Sequence, residues 1–219
     1  MMLSELEAKE LLAGYGIPVN EGRAACSAVE ASEIARHIGF PAVVKALSEK
    51  IVHKSDLGLV TLNLCNPSDV GRTAERILAK ARTIDPEAKV VVEAMAIQGT
   101  EVIVGAKRDP QFGPTILFGL GGIFVEVFKD VSIRVAPVDK AMAMDMIQGI
   151  KGYAILKGAR GKKGVDLDTL ADVIVNTSKL MMEQDKVMEL DMNPVMAYEK
   201  GAVAVDARAL VSTTQEKKQ

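Results

Sequence analysis

Apolar positions along the chain switch repeatedly between helical and strand spacing, with polar caps and glycines where they switch. Ser4 and Glu7 have the spacing of a capping box, and Leu11, Leu12 and Tyr15 continue one face of a helix that Gly14 and Gly16 end. Ser27 and Glu30 repeat the device for a helix to about Ile38, stopped at Gly39. The run FPAVVK, ending at Lys45, then reads as a buried strand, and a loop over 48–58 leads to a short strand at 59–64. Ser68 or Asp69 is the expected cap of a long helix to about Ile84, with Val70, Ile77, Leu78 and Ala81 on one face. The pattern predicts strands at 89–95, 101–107, 115–120, 123–128 and 132–136, helices at 139–149 and 167–184, and closing strands at 187–192 and 202–206. A polar tail from Ser212 is expected to fray. Strands and helices mix without a βαβ rhythm or an internal repeat, which favours an α+β fold (α/β in content, two-lobed) over a doubly wound sheet.

Composition narrows the function classes. The 219 residues suffice for one large domain or two small lobes, and 48% hydrophobic with 26% charged content is ordinary for a soluble globular chain. A net charge of −2 with scattered basic residues, and 4% aromatics without Trp, offer neither the electrostatic footprint nor the stacking platform of a nucleic-acid binder. Cys26 and Cys65 form no CxxC pair, so neither a disulfide framework nor a zinc site is expected. The acidic, amphipathic start MMLSELEAKELL lacks the basic head and apolar run of a signal peptide. No apolar stretch approaches the ~20 residues that span a bilayer, and a cytoplasmic protein is expected.

The sharpest candidate chemistry is Glu189-Leu190-Asp191-Met192-Asn193-Pro194. In a strand Glu189, Asp191 and Asn193 share one side while Leu190 and Met192 face the core. Three oxygen-bearing side chains in a row repel one another unless a cation lies among them, and they are hard ligands of the kind magnesium takes with water and phosphate. Glu199-Lys200-Gly201 reads as a hairpin turn. A turn centred near residue 200 sets Asp206 almost opposite Asn193 or Pro194, adding a fourth oxygen. The competing reading is a solvated strand face.

Other candidates are less specific. Lys45 stands inside apolar PAVVKAL, where a buried ammonium needs a partner that either a phosphate or a core carboxylate can supply. Glu93 and Glu101 end adjacent strands and can accept bonds from a nucleotide amine and a ribose, or be ordinary strand-end charges. Gly119-Leu120-Gly121-Gly122 has the glycine density of a phosphate-binding turn. It is neither GxGxxG before a helix nor GxxxxGK[ST], so Rossmann and Walker readings fail. Arg134, in VSIRVAP, reads as a buried strand arginine that needs a bound anion or a protein carboxylate. Of two histidines, His37 closes a helix and reads as a surface residue. His53 lies in a polar loop, where an imidazole of ordinary pKa, about 6.5, is a nucleophile toward phosphate or simply exposed. Met142, Met144, Met146, Met181 and Met182 read as fillers of irregular core gaps, and the basic run 157–164 as a solvated loop.

Together these segments resemble an ATP-grasp domain, and more narrowly the nucleotide-binding (beta) subunit of ADP-forming acetyl-CoA or acyl-CoA synthetases, relatives of succinyl-CoA synthetase. The resemblance runs from about Leu3 to Leu210 and rests on LSELEAKELLAGYGIPV, FPAVVKALSEKIVHKSDLGLV, VVVEAMAIQGTEVIVGAKRDPQFGPTILFGLGGIFVEVFKDVSIRVAP and MELDMNPVMAYEKGAVAVDAR. It implies an ATP-grasp fold with a small lobe at roughly 20–95, a larger lobe from 1–19 plus 96–212, and a frayed tail at 213–219. By the resemblance, Lys45 meets ATP phosphates, Glu101 the ribose, and backbone groups of Glu93, Ala94 and Met95 the adenine. Asn193 and Asp206 become magnesium ligands with Asp191 assisting, Arg134 neutralises phosphate charge, and His53 is a second phosphoryl carrier. The implied reaction is acyl-CoA + ADP + phosphate to acid + CoA + ATP through acyl phosphate and phosphohistidine. The chain carries no CoA-binding fingerprint, so a separate CoA-binding alpha subunit, in a hetero-tetramer, is the implied partner, with no nucleic acid or membrane. The alternatives are a stand-alone ATP-grasp carboxylate–amine or carboxylate–thiol ligase and a non-catalytic nucleotide-binding regulatory subunit; retained metal ligands argue against the last.

Overall fold

The computed structural model describes residues 1–51, 54–122, 130–158 and 163–212. In chain order the elements are α1 (Glu5–Gly14), β1 (Gly22–Ala25), α2 (Ala28–Ile38), β2 (Ala42–Leu47), β3 (Val60–Leu64), α3 (Pro67–Ala81) and β4 (Lys89–Ala94). Then follow β5 (Thr100–Asp109), β6 (Gly113–Leu120), β7 (Val131–Val135), α4 (Lys140–Gly149), α5 (Tyr153–Leu156), α6 (Leu167–Glu183), β8 (Val187–Ala197), β9 (Ala202–Ala204) and β10 (Ala207–Val211). They form two compact units, Asn20–Ile97 and Met1–Val19 with Gln98–Gln219. The strand expected at 123–128 and the tail from 213 lie outside the described residues. No helix among the described residues is long and apolar enough to cross a membrane.

In the unit Asn20–Ile97 an antiparallel sheet of order β1-β4-β2-β3 carries α2 and α3. Its core joins Ala31 and Ala35 of α2 and Ile77 of α3 to Val44, Val90 and Val92 of the sheet. Two caps differ from the expected ones. The Asn66 side chain, not Ser68 or Asp69, opens α3 by accepting the Asp69 N–H at 2.9 Å. Pro67 suits the first turn because the N–H it lacks needs no partner there. Ser27 accepts the Glu30 N–H, but the Glu30 carboxylate turns to the Cys26 N–H at 2.7 Å, so the reciprocal half of the box is displaced by one residue.

In the other unit an antiparallel sheet runs β10-β8-β5-β6-β7, with β9 pairing β8. Its core includes Leu12 of α1, Phe118 of β6, Met146 and Ile147 of α4, and Ile174 and Met181 of α6. Ser4 and Glu7 form the full capping box at the head of α1. Arg108 of β5 donates to the carbonyls of Met181 and Gln184, satisfying the last turn of α6.

Asp166 ties α6 to the β8–β9 hairpin. Its carboxylate caps α6 through the Thr169 N–H at 3.0 Å and also accepts the Gly201 N–H at 2.9 Å. These bonds, first the one from Gly201, hold its carboxyl below the ordinary aspartate range. Asp166→Ala is expected to cost about 1 kcal/mol, a typical cap loss, and to lower the melting temperature by roughly 2–4 °C. A depressed folded pKa adds stability above the ordinary carboxylate pKa and loses it as pH falls through the depressed value. The gap between wild type and variant in urea melts should therefore narrow in strong acid.

Candidate functional site

The oxygen-rich segment of β8 is shaped by a slip in register. Glu189, Asp191 and Asn193 are exposed while Leu190 and Met192 are buried, the expected alternation. Val102 of β5 faces Val195 and Val104 faces Met192, so Asn193 and Pro194 together oppose the single residue Ile103. This bulge flips the face of everything beyond it, and Val195 and Ala197 are buried instead. The opposite neighbour breaks at the same level. Ala204 of β9 faces Val195 and Ala207 of β10 faces Met192, which leaves Val205 and Asp206 across from Pro194 and Asn193. The Val205 N–H donates to the Pro194 carbonyl at 3.1 Å. Asp206, half-buried, thus stands opposite Asn193 at a point where both strands depart from regular pairing.

Protein cations already serve part of the oxygen row, so the row as a whole does not call for a bound metal. Glu189 pairs with Lys107 of β5 at 2.6 Å, both exposed. Asp191 lies opposite Arg208 of β10, a residue the sequence pattern did not single out. Although Asp191 reaches solvent, crowding by protein pushes its carboxyl above the ordinary aspartate range; Arg208 pulls it down and Asp206 adds to the rise. Among the described residues no three His, Cys, Asp or Glu side chains group closely enough to hold a metal. The donor set here is Asp191, Asp206 and the Asn193 amide. That fits magnesium, which binds through one or two carboxylates and completes its octahedron with water and phosphate rather than with an all-protein cage.

In the unit Asn20–Ile97, Lys45 has a core carboxylate as a partner. Its Nζ lies 2.8 Å from Oε2 of Glu93, which is wholly buried. Glu93 faces Val43 on β2, so the two side chains are diagonal neighbours on adjacent strands. Asn20 donates to Glu93 at 3.2 Å and to the Ala94 carbonyl at 3.0 Å. Gly22 makes room: a Cβ there would come 2.8 Å from Cγ of Glu93. The amides of Ala94 and Met95 donate to the carbonyls of Glu21 and Pro41. What this segment still offers a base is the second lone pair of its own carbonyls.

Glu101 of β5 is exposed, and its carbonyl accepts the Gly121 N–H at 2.7 Å. The glycines of 119–122 answer to close packing. A Cβ on Gly121 would meet the Glu101 Cβ at 2.8 Å, and one on Gly119 the Asp130 carbonyl at 2.8 Å, while Gly122 holds φ +60°. Arg134 is not buried: it is exposed on β7, the last strand of the sheet among the described residues, and donates to the Ile133 carbonyl at 3.0 Å. Its local alternation matches a central strand, but among the described residues β7 pairs through β6 alone. His37 is exposed with Nδ1 2.8 Å from the Glu33 carbonyl. His53 lies outside the described residues. The chain after it turns back through bonds from Leu59 N–H to Lys54 O and Gly58 N–H to Ser55 O, with Gly58 at φ +63°.

Residues 1–211 match the ATP-grasp domain family. The beta subunit of ADP-forming acetate–CoA ligase I from Pyrococcus furiosus is 49% identical over 95% of this chain and 91% of its own length. The chain belongs to this ATP-grasp family of ADP-forming acetate–CoA ligase beta subunits. Its fold matches acetyl-coenzyme A synthetase 1 of Ca. Korarchaeum cryptofilum in complex with coenzyme A, Ca-AMPCP and HgCl+, at TM-score 0.93 and 43% identity, over 96% of this chain and 93% of that one. A second structure of that enzyme, with coenzyme A and Mg-AMPPCP and its phosphohistidine segment pointing towards the nucleotide-binding site, matches at TM-score 0.85 and 42% identity, over 96% of this chain and 93% of that one. These ATP-grasp relatives span nearly the whole chain.

Proposed function

We propose that the chain is the nucleotide-binding subunit of an ADP-forming acyl-CoA synthetase, working with a separate CoA-binding chain in a hetero-tetramer. The observation that carries this reading is near-full-length kinship with a ligase beta subunit, joined to the paired irregularity that sets Asp206 opposite Asn193. Phosphate attacks the acyl-CoA carbonyl and expels the thiolate, giving acyl phosphate. A histidine of the CoA-binding chain takes the phosphoryl group and releases the carboxylate. His53 accepts that group and delivers it to ADP. Splitting one long transfer into short ones is what a nucleophilic carrier achieves.

For the nucleotide, Asn193 and Asp206 are the proposed magnesium ligands with Asp191 assisting, and magnesium when bound supplies charge neutralisation at the transferring phosphoryl group. Lys45 is proposed to meet phosphate, held ready by Glu93. Glu101 is proposed for the ribose, and the carbonyls around Glu93, Ala94 and Met95 for the adenine amine. Arg134, exposed on β7, is proposed to neutralise phosphate charge.

The test separates binding from turnover. The purified chain is expected to bind ADP in the presence of magnesium and to make no ATP from acetyl-CoA, ADP and phosphate. Adding the CoA-binding chain should start ATP formation. Turnover by the single chain would sink the two-chain reading and leave a stand-alone ligase.

A further inference from the structure

We propose that Lys9 is a positioning residue for Asp206, acting through the Val205 carbonyl; this rests on the magnesium reading above. The buried stripe of α1 is Glu5, Ala8, Lys9 and Leu12, so two of the four positions that face the protein interior are charged. Glu5 is 5% and Lys9 3% exposed, and Lys9 Nζ lies 3.2 Å from Glu5 Oε1. A buried ion pair is poor at adding stability, since well-packed apolar residues of similar volume commonly serve as well or better. Something other than stability is served by an ammonium here. A further bond points to a target: Lys9 Nζ also donates to the Val205 carbonyl at 3.0 Å.

Val205 and Asp206 lie between β9 and β10, where regular pairing with β8 is interrupted. On the near side of Val205, its N–H is fixed on the Pro194 carbonyl. On the far side, its carbonyl belongs to the peptide that leads into Asp206, and Lys9 holds that carbonyl. Two successive peptide planes are thereby pinned, one by β8 and one by α1. The second sets the direction in which the Asp206 side chain leaves the backbone. In a regular ladder the neighbouring strand would do this; at a break another donor must. Glu5 keeps the Lys9 ammonium aimed, because a side chain with four rotatable bonds otherwise samples many rotamers. The consequence is a carboxylate presented to Asn193 before any cation arrives, which lowers the ordering cost of binding it.

The experiment measures ADP affinity of the full chain by calorimetry at zero and at saturating Mg2+, for wild type, for Glu5→Leu/Lys9→Met, and for Asp206→Asn. The apolar double variant removes both buried charges together, so no half-pair is stranded. It is expected to melt within a few degrees of wild type and to bind metal-free ADP as wild type does. Its Mg2+-dependent gain in affinity should shrink by about 10-fold or more, in line with losses on removing residues that orient metal ligands. Glu5→Gln, which leaves Lys9 in place on Val205, should keep most of the gain. A double variant that folds and retains the full gain overturns the proposal. If that variant does not fold, Glu5→Gln/Lys9→Gln is read by the same two affinities, and an unchanged gain again overturns it. Asp206→Asn separates the two claims: if it too keeps the full gain, the magnesium reading itself is wrong and the positioning role goes with it. Loss in Asp206→Asn beside an intact gain in the Lys9 variant removes the positioning role alone.

Discussion

The His53→Asn chain, assembled with the proposed CoA-binding partner, is expected to bind ADP with magnesium and yet form ATP at least about 1,000-fold more slowly, the scale on which removing a covalent nucleophile acts. The reasoning is chemical. In the sequence His53 precedes Lys54, whose charge can offset an incoming phosphoryl group, and Asp56, a carboxylate able to accept from one imidazole nitrogen while the other attacks phosphorus. Nucleotide affinity should survive, because none of the groups proposed to bind the nucleotide is altered. Acid-labile phosphorylation of the partner from acyl phosphate should survive as well, because it precedes the His53 step. The decisive measurement is ATP synthesis from acyl phosphate and ADP alongside the phosphohistidine content of each chain. Near-normal synthesis would mean that the partner's own histidine reaches the nucleotide directly.

Most of the scaffold was legible because its signals are local. The Ser4–Glu7 box and the glycine stop at Gly39 each need only a few residues to act, and α1 and α2 form where they point. What escaped depends on partners far along the chain. The strand expected at 202–206 runs through the break at Val205 and Asp206 and stops short of β10, because nothing within 202–211 announces a two-residue interruption. Arg134 looked buried because VSIRV alternates like a central strand, whereas exposure is decided by what lies beyond β7. Lys45 could not be assigned from its own strand, because Glu93 reaches it only through the β2–β4 pairing. The bulge did leave a trace. Buried apolar positions fall on even numbers at Leu190 and Met192 and on odd numbers at Val195 and Ala197, a parity change that marks an inserted residue. Lys9 and Glu5 also had a readable spacing, i to i+4, but that spacing usually denotes a surface pair.

Replacing Asn193 and Asp206 together by Ala is expected to reduce magnesium-dependent ATP formation by the reconstituted enzyme at least about 100-fold, more than the 10–100-fold typical of residues that merely orient a ligand. The fold should persist, because the buried residues of this strand pair, Met192 and Val195 on β8 and Ala204 and Ala207 opposite, are untouched. The informative comparison is Glu189→Ala. Glu189 belongs to the same exposed row but is paired with Lys107, an exposed, solvent-screened ion pair that adds little to stability. If the row is only a solvated strand face, all of these substitutions should act alike and weakly. If the site is where bulge and break coincide, activity and its magnesium dependence collapse in Asn193→Ala/Asp206→Ala while Glu189→Ala stays near wild type. Initial rates over a range of Mg2+ concentrations, with thermal melts of the same preparations, separate the two outcomes. Equal and small effects in both variants would return the oxygen row to the status of ordinary surface.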